Sequence, residues 1–395
     1  MMKKQICLYA GYYIDPDTGK QKQHRKKITI TAKNITEFRL LESEALIKFQ
    51  AEVDSQSSVI NIQSLIRQYY EATPLKPKSI SNDLKYMKHF SEAFKKYRLS
   101  EINKDVLLAF FNALKKQNLS DYQLHVYYKT LNKYLNFAVD TEILPKNPLR
   151  NKLFKAYSSQ PKAKKKENIV ESYKNLLHIV FSGENPLFTN KFRSMLLLSS
   201  DCCLRNSELF GLNWTHINFD KKQVHIKQVA YKLSENVASQ IGVDTEVVHT
   251  PKTATSDRIL PLSELTINYL IKYKAECDDQ LNSLGITNNE EIVFYQKPKQ
   301  NEKTVSRAYG TGFNAKLKRI CKYYDIPKLT SHDIRKSANT IRNNLKIPYL
   351  VCEHILGHSL GKLNEVYFLR SIDDLREHHK PWENFLNNIT VTNEQ

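Results

Sequence analysis

Glycine is scarce in this chain, 10 of 395 residues, and no cluster of it forms a loop of the kind that cradles nucleotide phosphates. The six cysteines, Cys7, Cys202, Cys203, Cys277, Cys321 and Cys352, include no C-x-x-C pair and no metal-ligand rhythm. A disulfide framework is therefore not expected, no cofactor or metal is called for, and a reducing cytoplasm is the expected setting. No apolar stretch is long enough to span a bilayer. The start of the chain, Met1-Met2-Lys3-Lys4 then Ile6 to Ala10, imitates a signal peptide only until Tyr12-Tyr13 and Asp15-Pro16-Asp17 interrupt it. No internal repeat is visible. Acidic residues are also in deficit: 41 Asp and Glu stand against 60 Lys and Arg, a net charge of +19. That excess asks for a polyanion, and nucleic acid fits better than a membrane.

What is present reads as two or three domains, mainly α with small β-sheets. Residues 1–55 predict a β-hairpin and a helix: β-formers over 5–15, a turn at Asp15-Pro16-Asp17-Thr18-Gly19, a basic strand through His24-Arg25-Lys26-Lys27, then a helix over 36–53. A two-stranded ribbon of this kind fits a DNA groove; a merely solvated hairpin is the alternative. Residues 60–150 predict helices over 60–72, 79–96, 104–117 and 121–140, with Asn103 and Ser120 as N-caps ahead of the last two. Leu124, Tyr127, Leu131, Tyr134 or Leu135, and Ala138 form an apolar stripe on the last of these, which should stop before Pro145. Tyr86, Lys88, Lys95, Lys96, Lys129 and Lys133 read mostly as a solvated face. Residues 151–168, with Pro161-Lys162-Ala163-Lys164-Lys165-Lys166, read as an exposed basic linker. Residues 169–385 form a mixed α+β unit with strands over 223–228, 245–249 and 258–262. A polar tail, 386–395, follows.

The chemistry concentrates in this last unit. Leu204-Arg205-Asn206-Ser207-Glu208, Lys252, His332-Asp333-Ile334-Arg335, Leu356-Gly357-His358 and Tyr367 stand in that order. Arginine suits phosphate, because its planar fork gives two parallel hydrogen bonds and keeps its charge. Arg205 and Arg335 are the candidates to stabilise charge on phosphate oxygens. His332 and His358 could donate to the same oxygens or shuttle a proton. A lysine can protonate a leaving oxygen, and Lys252 sits where a strand pair would turn. Tyr367, with a reference pKa of about 10, needs such a cationic surround to act as a nucleophile. Singly, each has another reading. Arg205 and Glu208 could be a structural ion pair. His332-x-x-Arg335 could be a helix start capped by Ser331. Gly357-His358 could be a helix C-terminus, and Tyr367 a core residue. His354 and His358, four apart, could suggest zinc, but no zinc-protease motif accompanies them.

In conjunction these residues resemble the tyrosine recombinases, the phage-integrase family, over the whole C-terminal unit. Lys252-Thr253 followed by Ser256 to Leu262 is similar to the strand pair carrying the family's catalytic lysine. The helical region ending in Asn147-Pro148-Leu149 resembles its core-binding domain. Tyr13 to Lys20 with the following basic residues resembles the arm-binding domain of lambda-type and conjugative-element integrases. Two positions depart from the pattern: Cys203 stands where glycine is usual, and Lys336 where histidine is frequent. The resemblance implies site-specific recombination on double-stranded DNA at core and arm sites, through a 3′-phosphotyrosine at Tyr367. Arg205, Lys252, His332, Arg335 and His358 would complete the catalytic set. It also implies a homotetramer, with an excisionase or host DNA-bending protein as accessory, and Glu208 orienting Arg205. A type IB topoisomerase-like relaxing enzyme and a non-catalytic DNA-binding regulator are the rival readings.

Overall fold

The computed structural model describes residues 2–14, 21–57, 60–161, 168–251, 254–298, 302–359 and 371–391. It divides into two compact units, Met1–Ala163 and Lys164–Gln395.

The first unit opens with β1 (Met2–Ile14) paired antiparallel to β2 (Gln21–Ala32), with an irregular register between Tyr9 and Tyr12. Side chains alternate across this ribbon. Ile6, Leu8, Ile28, Ile30 and Ala32 turn toward helix α1 (Ile35–Ser57), where Phe38 and Phe49 meet them. The opposite face carries Lys3, Arg25 and Lys27, all exposed. The expected turn at 15–19 lies outside the described residues.

Helices α2 (Ile62–Ala72), α3 (Pro77–Ala93), α4 (Lys104–Lys116) and α5 (Asp121–Asp140) follow. Asn103 and Ser120 cap α4 and α5 as expected, and Asn61 caps α2. The whole predicted stripe on α5 is buried. Helix α5 spans the expected residues and stops at Asp140, ahead of Pro145, where Glu142 adopts a left-handed conformation and Leu144 folds back to bond the Ala138 carbonyl. Two expectations are corrected here. Tyr86 is buried, and Lys133 is drawn inward by Asp83 and the rings of Tyr69, Tyr70 and Tyr134. Most important, the linker does not begin at 151. Residues 151–158 turn through α6 (Lys155–Ser158) and bury Phe154 and Tyr157 against Phe111, because two aromatic rings outweigh the basic residues beside them. Residues 162–167 lie outside the described residues.

The second unit contains α7 (Ile169–Ser182), α8 (Asn190–Asp201), the single turn α9 (Asn206–Leu209), β3 (Ile217–Asn218), β4 (Gln223–Ile226), β5 (Val229–Lys232), α10 (Glu235–Ile241), β6 (Glu246–His249) and β7 (Arg258–Pro261). Then come α11 (Glu264–Leu284), α12 (Gly310–Tyr323), α13 (Ser331–Asn344), α14 (Tyr349–Leu356) and α15 (Ile372–Val391). Strands β4, β6 and β7 stand where expected, but their pairing differs. β6 and β7 do not form a hairpin: β6 pairs with β5, while β7 pairs with β4 in a β3-β4-β7 sheet. The stretch holding Lys252 therefore runs between two sheets.

The expected polar tail is also corrected, since α15 continues through residue 386, where Leu386 is fully buried. This helix packs against α7 and β7 of the second unit. The Trp382 indole N–H donates to Asp201 Oδ1 at 2.8 Å, and the Arg342 guanidinium lies 3.9 Å over its ring. The other Asp201 carboxylate oxygen accepts from Ser263 and Thr266 at the start of α11. His379 of the same helix is buried, which pulls its imidazole down to about 4, so it packs as a neutral ring.

Because Phe154 is wholly inside the first core, Phe154→Ala should destabilise the first unit by about 3–5 kcal/mol. Urea unfolding measures this; an unchanged midpoint would return residues 151–158 to the linker.

Candidate active site

The site is built outward from the end of α8. Cys203, two residues beyond that helix, has φ +47°, the left-handed region in which a side chain is strained and glycine is not. The departure from glycine noted in the sequence thus leaves the turn conformation intact. Two arginines seven residues apart on α13 hold it. Arg342 donates to the Ser200 and Asp201 carbonyls at 2.9 and 2.5 Å and reaches the Cys203 sulfur at 3.2 Å. Arg335 donates to the Cys203 carbonyl at 2.5 Å. The carbonyls left unpaired at the end of α8 are thereby satisfied. Helix α13 itself starts one residue earlier than expected: Thr330, not Ser331, is its cap, in a reciprocal box with Asp333.

The turn delivers the chain to Arg205 and Glu208. Glu208 sits at the third position of α9, so one carboxylate oxygen caps the Arg205 backbone N–H at 2.9 Å while the other holds the Arg205 guanidinium at 2.7 Å. The same carboxylate receives Arg258 at 3.2 Å and lies 3.8 Å from Arg335. Glu208 is only 1% exposed. Burial pushes its carboxyl up, but Arg258 and the bonds from Arg205 more than offset this and hold it below the usual range. Burial and the neighbouring Arg205 charge, opposed by Glu208, pull Arg335 down to about 10, still cationic at neutral pH.

Arg258 is the residue that sequence reasoning missed. It pairs with Ile226 across the sheet, and its strand alternates: Arg258 and Leu260 face inward, Ile259 outward. An arginine on the apolar phase of a strand was the available signal. Its guanidinium also donates to the Ile355 carbonyl at 3.0 Å, and Arg335 donates to the Leu356 carbonyl at 2.7 Å. Both are terminal carbonyls of α14. That helix ends at Gly357, φ +63°, and a Cβ on Gly357 would lie 2.9 Å from the Arg258 guanidinium. Backbone conformation and close approach both demand glycine there. Next comes His358, whose Nε2 lies 3.3 Å from Arg335 Nη2 and whose Nδ1 lies 2.9 Å from Glu353.

The fold therefore brings together Arg205, Arg335 and His358. His332 is exposed in the first turn of α13, on the face that also carries exposed Lys336. Lys252 and Tyr367 lie outside the described residues. Among the described residues no group of three or more His, Cys, Asp or Glu gathers in a way that could hold a metal. Burial and the Arg258 charge keep the His354 imidazole below its ordinary value.

Glu208→Gln would leave three guanidiniums around a neutral amide. We expect a loss of about 3–5 kcal/mol, read by chemical denaturation at pH 7. Because the folded carboxyl is held low, its contribution is present at neutral pH and is lost as the pH falls through the carboxylate range. The loss relative to wild type should shrink in that range; a gap that stays constant down to strong acid would contradict the charge assignment.

A sequence model of the phage integrase family matches residues 171–369, and one of the phage integrase SAM-like domain matches residues 61–157. The chain is 25% identical to the ICEBs1 integrase of Bacillus subtilis over 365 residues, 91% of either chain. It is 22% identical to a XerC-like tyrosine recombinase of Caldanaerobacter subterraneus over 282 residues, 70% of either chain. In structure it is similar to the Tn1549 transposon integrase, solved with circular-intermediate DNA, at a TM-score of 0.59 and 14% identity, covering 81% of this chain and 98% of that one. With the family model spanning just over half its length, this chain belongs to the phage integrase family and is a tyrosine recombinase.

Proposed function

We propose that this protein is the integrase of a phage or mobile element, cutting and rejoining double-stranded DNA at specific core and arm sites in both integration and excision. The observation that carries this reading is the set of cationic groups fixed around Glu208, with Arg205 40% exposed in its side chain and His358 beside Arg335. Fixed donors of this kind suit the negative charge that gathers on a phosphate during displacement.

In this mechanism the Tyr367 oxygen bonds to phosphorus as the bond to the 5′-oxygen breaks. Arg205, Arg335, His332 and His358 hold the non-bridging oxygens, and the phenolic proton leaves through a histidine. Lys252 protonates the departing 5′-oxygen. A partner strand's 5′-hydroxyl later attacks the phosphotyrosine, so one phosphodiester replaces another. Glu208 acts through the arginines, as the positioning residue for Arg205. The exposed Lys3, Arg25 and Lys27 on the open face of the hairpin support residues 1–55 as the arm-binding domain. Residues 60 to about 158 would bind the core site and residues 169–391 carry catalysis, in the cytoplasm, within a homotetramer assisted by an excisionase or host DNA-bending protein. The ICEBs1 and Tn1549 names support an element of the conjugative type.

A nicked suicide substrate should trap a covalent protein–DNA adduct, and Tyr367→Phe should abolish it while leaving DNA binding intact. An undiminished adduct in that variant would sink Tyr367 as nucleophile. Relaxation of supercoiled plasmid without joining of specific sites would favour the topoisomerase-like reading. Removing residues 1–55 should spare core-site binding yet cut recombination that needs accessory sites; full recombination by the truncated protein would remove the arm assignment.

A further inference from the structure

Helix α14 ends in a motif that fixes more than its backbone. The His358 N–H bonds the Glu353 carbonyl at 3.1 Å, and the Gly357 N–H bonds the His354 carbonyl at 2.9 Å. This is the paired return of a left-handed helix terminus, which sets the residue after glycine against the side chain four positions before the glycine. That contact is usually apolar. Here it is a carboxylate and an imidazole: Glu353, with its side chain 17% exposed, accepts from His358 Nδ1 at 2.9 Å. On the far side of the ring, Nε2 faces Arg335 Nη2 at 3.3 Å. A guanidinium can only donate. The ring is therefore the tautomer with hydrogen on Nδ1 and a lone pair on Nε2.

We infer that Glu353 is a positioning residue for His358, holding the imidazole by Nδ1 so that Nε2 is the nitrogen presented, beside Arg335, to the scissile phosphate. The inference rests on the reading of His358 as a phosphate-contacting group. A second consequence follows from donor and acceptor chemistry. A phosphate oxygen only accepts, so Nε2 must carry a second proton to bond it. The charges facing the ring are then the Glu353 carboxylate on one side and Arg335 on the other, with Arg258 packed beneath Gly357. Among the described residues Glu353 is the one anion of these, so it both orients the ring and balances it once protonated. The glutamate is invisible to a search for catalytic spacing, since it lies five residues from the histidine and serves it only because the helix ends where it does.

The test is single-turnover adduct formation on the suicide substrate by wild type, Glu353→Ala, Glu353→Gln, His358→Ala and the Glu353→Ala/His358→Ala pair. Loss of His358 should slow cleavage by about 10²–10³, as for removal of one oxyanion donor. Glu353→Ala should cost about 10–100-fold, as supporting partners of a working histidine do. Glu353→Gln keeps an acceptor for Nδ1 and a near-identical shape, so it should recover part of that loss and guards against misfolding of the alanine variant. In the pair, loss of Glu353 should add nothing beyond loss of His358, because it acts only through that ring. Nitrogen-15 spectra of histidine-labelled full-length protein should show His358 protonated on Nδ1, shifting toward the Nε2 form in Glu353→Ala. Full activity in Glu353→Ala alongside an impaired His358→Ala would overturn the inference and leave the histidine reading standing. So would an undiminished Glu353 effect in the His358→Ala background. An unimpaired His358→Ala would instead remove the histidine reading itself.

Discussion

One buried carboxylate organises the catalytic unit. Glu208 is reached by Arg205 from its own turn, by Arg258 from β7 and by Arg335 from α13, three segments that are far apart in sequence. A charge this buried is tolerable only when paired and fully hydrogen-bonded. Each arginine therefore cannot relax away without exposing the carboxylate's cost, and two of the three are tied down a second time. Arg258 and Arg335 also grip the last carbonyls of α14. The position of His358 is thus a consequence of Glu208, transmitted through two guanidiniums and a helix terminus.

The same device recurs one layer deeper. Asp201 joins the end of α8 to the start of α11 and to Trp382 of α15, while Arg342 threads between the α8 carbonyls and the indole face. Loop ends that would otherwise leave unpaired carbonyls are closed by arginines from α13. Because Arg335 and Arg342 lie two helical turns apart, a single helix couples the Glu208 layer to the layer that docks the C-terminal helix.

How much of this was legible in the sequence depended on distance along the chain. The helices of the first unit were, down to the caps Asn103 and Ser120, because capping and amphipathic spacing are local signals. The Arg205–Glu208 pair was legible for the same reason. Arg258 was not, because its partner lies fifty residues away and its strand pairs with β4 rather than with the strand just before it. The false hairpin arose because β5 is only four residues long and carries no turn signal before it, so β6 had no visible partner but β7. The basic run around Lys164 drew attention from Phe154 and Tyr157, although burial of two rings is the stronger force. Glu353 was hidden for a geometric reason: its role exists only once Gly357 turns the chain left-handed.

Three guanidiniums against one carboxylate leave the inner cluster with a charge of 3 − 1 = +2. Arg335 is depressed first by burial and then by the neighbouring Arg205 charge, the second of which registers that imbalance. Folding this site therefore concentrates like charge, and a bound anion relieves it. By linkage, any ligand that binds the native cluster and not the unfolded chain stabilises the folded state. On the proposed function, cutting and the sheltering of the intermediate become one thermodynamic event: a chain joined to DNA through its tyrosine carries its counter-ion with it, and is held in shape by the molecule it is rearranging.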